Sequence, residues 1–122
     1  MPYGQQDVLF QEDREVIMGE RTANVQPGNI GETICGLAEV IGSRRDADPE
    51  KSYTALLLQS GEDKVLKKVV EEAVEVALAC KDRDHDHIRY EAADLIYHLL
   101  VALEYHGVGI DELAGELDAR RK

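Results

Sequence analysis

Residues 67–98 read KKVVEEAVEVALACKDRDHDHIRYEAADLIYH, and the recurrence of apolar and acidic residues in this run predicts two amphipathic helices joined by a polar turn. The first helix, ending near Lys81, carries an apolar stripe of Val65, Leu66, Val69, Val70, Ala73 and Ala77. The second, from Asp84 or Asp86 to Tyr105, carries Ile88, Ala92, Leu95, Ile96, Leu99, Leu100 and Leu103. So short a connection favours an antiparallel αα-hairpin. Stepping about 100° per residue sets Glu72 and Glu75 together beside one edge of the first apolar arc, with Lys68 on the same flank. Glu91 and Asp94 fall at one edge of the second arc, with His87 and His98. Glu71 points further round, toward Lys64 and Lys67. Packed antiparallel, the two acid flanks face one another.

Carboxylates brought together repel, and either their pKa rises or a counter-ion is required. An oxygen-only donor set suits a hard divalent cation, Mg²⁺ or Mn²⁺, over zinc. On spacing alone the alternative stays open that both acid pairs simply line solvated helix faces. A carboxylate-bridged di-iron bundle needs Glu-x-x-His pairs. Three residues after Glu72 stands Glu75, and three after Glu91 stands Asp94, so that signature is missing.

The remainder of the chain is expected to build a helical bundle around the hairpin. Ile34, Leu37, Ala38, Val40 and Ile41 predict a helix from Glu32 to near Arg45, and the Asp-Pro pair at 48–49 marks a connector. Ser52 suits the N-cap of a short helix over Tyr53–Gln59, with Gly61 as a left-handed cap. Ser60 or Asp63 is the expected cap of the next helix. Gly107 and Gly109 end the long second helix of the hairpin, and Asp111 is expected to cap a last short one. Residues 1–31 differ in texture. They fit either a weak hairpin within 7–18 or a loosely structured extension, and they receive no function. The expected division is an extension over 1–31 and an all-α domain over 32–122.

Fourteen basic residues against 25 acidic give a net charge of −11, which argues against nucleic-acid binding. With only 5% aromatic residues and no Trp, the core must be mainly aliphatic. A core this small makes oligomerisation a reasonable expectation. Two cysteines without CxxC spacing, Cys35 and Cys80, read as reduced thiols packed in a cytoplasmic protein. No apolar run is long enough for a membrane span.

Three blocks in order, Ser52-Tyr53-Thr54-Ala55-x-Leu57, Lys67-Lys68-Val69-x-Glu71-Glu72-Ala73-x-Glu75 and Ala93-Asp94-Leu95-x-Tyr97-His98-Leu99-Leu100, together with Glu91-x-x-Asp94, resemble the phosphoribosyl-ATP pyrophosphohydrolase family of the all-α NTP pyrophosphohydrolases. The resemblance spans about residues 34–119. It implies an antiparallel all-α bundle completed by homodimerisation, and Mg²⁺-dependent hydrolysis of 1-(5-phosphoribosyl)-ATP to 1-(5-phosphoribosyl)-AMP and pyrophosphate, the second step of histidine biosynthesis. By position it assigns Glu72, Glu75, Glu91 and Asp94 as metal ligands and Glu71 as an assisting or orienting acid. Glu72 and Glu75 both remain candidates to take a proton from the attacking water.

Lys68, Lys67, Lys64, Arg44, Arg45 and Lys51 are the candidate phosphate contacts, Lys68 first because it shares the acid flank. Lys67 can equally pair with Glu71 at i,i+4. Ser52 has either a capping or a phosphate role, and Tyr53 and Thr54 follow it at a helix N-terminus, where free amides favour anions. Tyr97 reads as core or as a stacking partner for the base, and His98 as a hydrogen-bonded interior group. His85, His87, Tyr105 and His106 read as surface residues. The competing functions are a house-cleaning nucleotide pyrophosphatase, against which the Ser52 block speaks, and a non-catalytic helical dimerisation module.

Overall fold

The computed structural model describes residues 24–121, and all of their regular structure is helical. Five helices follow in order: α1 (Ile30–Ser43), α2 (Tyr53–Gln59), α3 (Glu62–Asp82), α4 (His85–Tyr105) and α5 (Ile110–Arg120). The hairpin considered within 7–18 lies outside the described residues.

The helix starts follow from side chains that satisfy otherwise orphaned amides. Asn29 Oδ1 accepts from Glu32 N–H at 3.0 Å, Ser52 Oγ from Ala55 N–H at 3.1 Å, and Asp84 Oδ1 from His87 N–H at 3.2 Å. The first helix therefore begins two residues before Glu32, and it ends at Ser43. Two expected caps are corrected. Neither Ser60 nor Asp63 caps α3: Gly61 does, at φ 103°, a backbone that an L side chain rarely adopts. Nor does Asp111 cap α5. Gly109 is the N-cap, and Glu112 reaches back to accept its N–H at 2.9 Å.

The α3–α4 hairpin is the spine. Its turn is two residues long, with Arg83 left-handed at φ 58°. The antiparallel course brings His106, just past the end of α4, against Glu62 at the start of α3, Nε2 to Oε2 at 2.8 Å. α1 packs on α4, and α2 lies against both long helices. The core they enclose holds Ile41, Tyr53, Leu57, Leu58, Val65, Tyr97, Leu100, Val101 and Ala102. Arg45 clamps the end of α1 to α4 through Glu104 Oε2 at 2.7 Å, and Gln59 Nε2 donates to the carbonyls of Arg45 and Ala47.

The hairpin's burial follows the expected one only in part: Val65 and Leu100 are buried and Val69 and Leu103 pack against the core. The side of α3 turned inward carries Val65, Lys68, Glu72 and Ala79, while Leu66, Val70, Val74 and Leu78 are exposed, Val70 by 64%. On α4, Glu91, Asp94, Tyr97, His98, Leu100, Val101 and Ala102 are buried, whereas Ile96 and Leu99 lie open. The apolar arc read from periodicity is thus divided between the core and an outer face of this chain, and Glu72, Glu91 and Asp94 sit inside rather than at its edge. Cys35 and Cys80 are likewise exposed, not packed.

Candidate active site

Glu72 from α3 and Glu91 and Asp94 from α4 converge in the hairpin. One carboxylate oxygen from each lies within 4.8 Å of the others, and all three residues are buried. Glu91 and Asp94 stand three residues apart, so one helical turn presents both to Glu72 across the interface. Glu72 is wholly inaccessible, yet neither of its oxygens accepts a hydrogen bond among the described residues. A buried carboxylate in that state is costly. Burial, opposed by the Lys68 ammonium and reinforced by Glu75 and Glu71, holds its carboxyl above the usual carboxylate range. Burial also raises Glu91, with Glu72 and Glu75 adding to the shift and His87 opposing it. Three crowded oxygen donors, the two glutamates among them with raised pKa, fit a hard divalent cation, which would relieve both the repulsion and the missing hydrogen bonds.

Glu75 is half-buried. It is near enough to raise both glutamates, but it is not one of the three convergent carboxylates. Glu71 is exposed and gathers the lysines, Lys68 Nζ at 3.4 Å and Lys67 Nζ at 4.0 Å. Lys68 is buried, its ammonium 3.7 Å from Glu72. Lys64, Lys67 and Lys51 are exposed. Arg44 is half-buried, with Nη1 donating to Ser43 Oγ at 3.2 Å. His87, read as a plain surface residue, approaches Glu91 with Nε2 3.9 Å from Oε2. Its i,i+4 spacing to Glu91 was the available signal.

Behind the acids, α2 and α4 share buried polar contacts. The hydroxyls of Thr54 and Tyr97 are 2.5 Å apart, and Tyr53 stacks on Tyr97 at 6.4 Å between ring centroids. Ser52, Tyr53, Thr54 and Tyr97 are all buried, so Tyr97 is a core residue and Ser52 serves as the cap. His98 Nδ1 lies 2.8 Å from the Asp94 carbonyl, which only accepts, so Nδ1 carries the proton. Nε2 is then the acceptor facing the Tyr53 hydroxyl at 3.4 Å.

Burial pushes the His98 imidazole down to about 4, with the carbonyl contact opposing and Lys68 assisting. The unfolded chain binds this proton near pH 6.5, while the folded chain refuses it until about pH 4. Stability therefore falls as pH drops through that window, by about 3 kcal/mol in full. The raised glutamates act with the opposite sign: their folded forms take up protons first, so their share is present at low pH and lost as pH rises. Urea denaturation of wild type and His98→Gln from pH 7 to 4.5 isolates the histidine. The wild type's advantage over the variant should shrink steadily on acidification, and a constant difference would contradict the buried neutral imidazole.

The family model described as phosphoribosyl-ATP pyrophosphohydrolase matches residues 34–121, which include every acid of the site. The chain belongs to the phosphoribosyl-ATP pyrophosphohydrolase family. Among its relatives is the phosphoribosyl-ATP pyrophosphatase of Nitrosomonas eutropha, 49% identical over 84 residues that cover 69% of this chain and 72% of the relative. That of Pelotomaculum thermopropionicum is 50% identical over 86 residues, 70% of this chain and 88% of the relative. The histidine biosynthesis bifunctional protein HisIE of Synechocystis sp. is 50% identical over 86 residues, but these are only 40% of its length. The resemblance carried by the Ser52, Lys67 and Ala93 blocks is thereby confirmed, and no helix among the described residues is long and apolar enough to cross a membrane.

Proposed function

We propose that this protein hydrolyses 1-(5-phosphoribosyl)-ATP to 1-(5-phosphoribosyl)-AMP and pyrophosphate, as an enzyme of histidine biosynthesis in the cytoplasm. Family membership supports the substrate and the reaction class. The observation that carries the mechanism is Glu72, fully buried with both oxygens lacking a hydrogen bond, set against Glu91 and Asp94.

Glu72, Glu91 and Asp94, with Glu75 completing the set, would hold Mg²⁺, or Mn²⁺ in its place. Such a cation supplies charge neutralisation at the triphosphate and acidifies the attacking water. The protein's own share is positioning and proton transfer. Water oxygen bonds to the α-phosphorus, the α–β anhydride bond breaks, and the electron pair leaves on pyrophosphate. We assign the water's proton to Glu75, which is half-buried where Glu72 is wholly inaccessible. Glu71 orients Lys67 and Lys68, and the exposed Lys64 and Lys67, with Arg44, are the groups we assign to substrate phosphates. Ser52, Tyr53, Thr54 and Tyr97 support the site from within rather than touching substrate.

The active form is a homodimer in this reading. The open apolar face made by Leu66, Val70, Val74 and Leu78 of α3 with Ile96 and Leu99 of α4 suits a second copy of itself. Two such hairpins would form a four-helix bundle.

A substrate panel with pyrophosphate detection tests the reaction. Phosphoribosyl-ATP should be turned over far faster than dUTP or dCTP. Preference for either deoxynucleotide would replace this reading with a house-cleaning pyrophosphatase, and inertness toward all three would favour a non-catalytic helical module.

A further inference from the structure

Among the described residues, Lys68 is the only Lys or Arg that is buried. Its ammonium lies 3.4 Å from Glu71 Oε1 and 3.7 Å from Glu72 Oε1, reached from one helical turn earlier on α3. An ammonium taken out of water needs compensating charge, and so does a wholly buried carboxylate with no hydrogen bond. Lys68 and Glu72 compensate each other. Glu72 also faces Glu91 and Asp94, so the ammonium offsets part of the repulsion among three converging acids.

We propose that Lys68 is a built-in counter-ion that stabilises the cation-free acid site and, by repelling a second positive charge beside Glu72, holds its affinity for a bare divalent cation low. The inference rests on the divalent-cation reading above. Its physical content is a trade. The same ammonium that makes the empty site tolerable competes with the ion the site is built to receive, because both draw on the Glu72 carboxylate. Glu71, exposed and within 3.4 Å, offers the ammonium an alternative partner when Glu72 turns to a cation. The site is thus biased against capturing bare metal and toward cation that arrives with anionic phosphate oxygens, which can accept the displaced ammonium.

Mn²⁺ alone is the probe. Its binding is measured by calorimetry at pH 8 for wild type, Lys68→Met, Lys68→Gln and Lys68→Arg, alongside melting in excess chelator. Both neutral variants should bind Mn²⁺ about tenfold more tightly and melt at a lower temperature without cation. Lys68→Arg, which keeps the charge, should retain wild-type affinity. If Lys68→Met does not fold without cation, Lys68→Gln carries the comparison. Wild type that binds Mn²⁺ no more weakly than the neutral variants would overturn the counter-ion role and leave the cation site standing. Absence of Mn²⁺ binding at millimolar concentration in wild type and in both neutral variants would overturn both.

Discussion

Glu72→Gln is expected to lower phosphoribosyl-ATP turnover about 10³-fold while leaving the cation-free protein at least as stable as wild type. The loss of rate follows from removing a carboxylate at the centre of the trio. Cation-assisted charge stabilisation is worth several kcal/mol, and about 4 kcal/mol corresponds to that factor. The stability half has a different origin. Burial raises the Glu72 carboxyl, which means that its charged form is disfavoured in the folded chain. A neutral amide of the same shape removes that cost, though it leaves Lys68 with Glu71 as its remaining carboxylate partner on α3. Steady-state pyrophosphate release and urea denaturation in chelator read the two halves separately. Loss of both fold and activity would make Glu72 an ordinary structural acid. Retention of activity would remove it from the site.

Val70→Asp should convert a dimer into a folded monomer. Val70 is 64% exposed in the single chain, so the substitution leaves the core of Ile41, Leu57, Tyr97 and Val101 untouched. In a two-fold interface the change occurs twice. Losing two buried valines and burying two carboxylates there costs at least about 4 kcal/mol, a rise of about 10³-fold in the dissociation constant. Sedimentation velocity at micromolar concentration should show a dimer for wild type and a monomer for the variant, with helical circular dichroism retained. A monomeric wild type would remove the dimer from the functional reading.

The contrast between these two substitutions shows what helical periodicity conveyed and what it did not. The wheel correctly grouped Glu72 with Glu91 and Asp94 across an antiparallel hairpin, because side chains one turn apart share a face whatever covers them. The short helix Tyr53–Gln59 and its Ser52 cap were likewise legible, since a hydroxyl that satisfies an orphaned amide is a local feature. Periodicity cannot say which side of a helix the rest of the chain covers. The whole arc was therefore expected inside, whereas Val65 and Val69 face the core, Leu66 and Val70 lie on an outer face with Val74 and Leu78, and Lys68 and Glu72 lie within.

Burial of Lys68 was hidden for the same reason, as a lysine at a helix flank is ordinarily solvated. His98 was read as an interior group from its flank, but its tautomer needed the Asp94 carbonyl and the Tyr53 hydroxyl in three dimensions. The caps at Gly61 and Gly109 were missed because neighbouring Ser60, Asp63 and Asp111 are better capping residues on composition alone. Positive φ at Gly61 and the Glu112 side chain returning to Gly109 prevailed.

Whether the buried carboxylates act through a bound cation can be measured with one preparation of wild-type protein: pyrophosphate release from phosphoribosyl-ATP, first in excess chelator and then after Mg²⁺ is added past the chelator's capacity. Release should be abolished in chelator and return with Mg²⁺. Release that continues undiminished in chelator would be incompatible with a divalent-cation site at Glu72, Glu91 and Asp94.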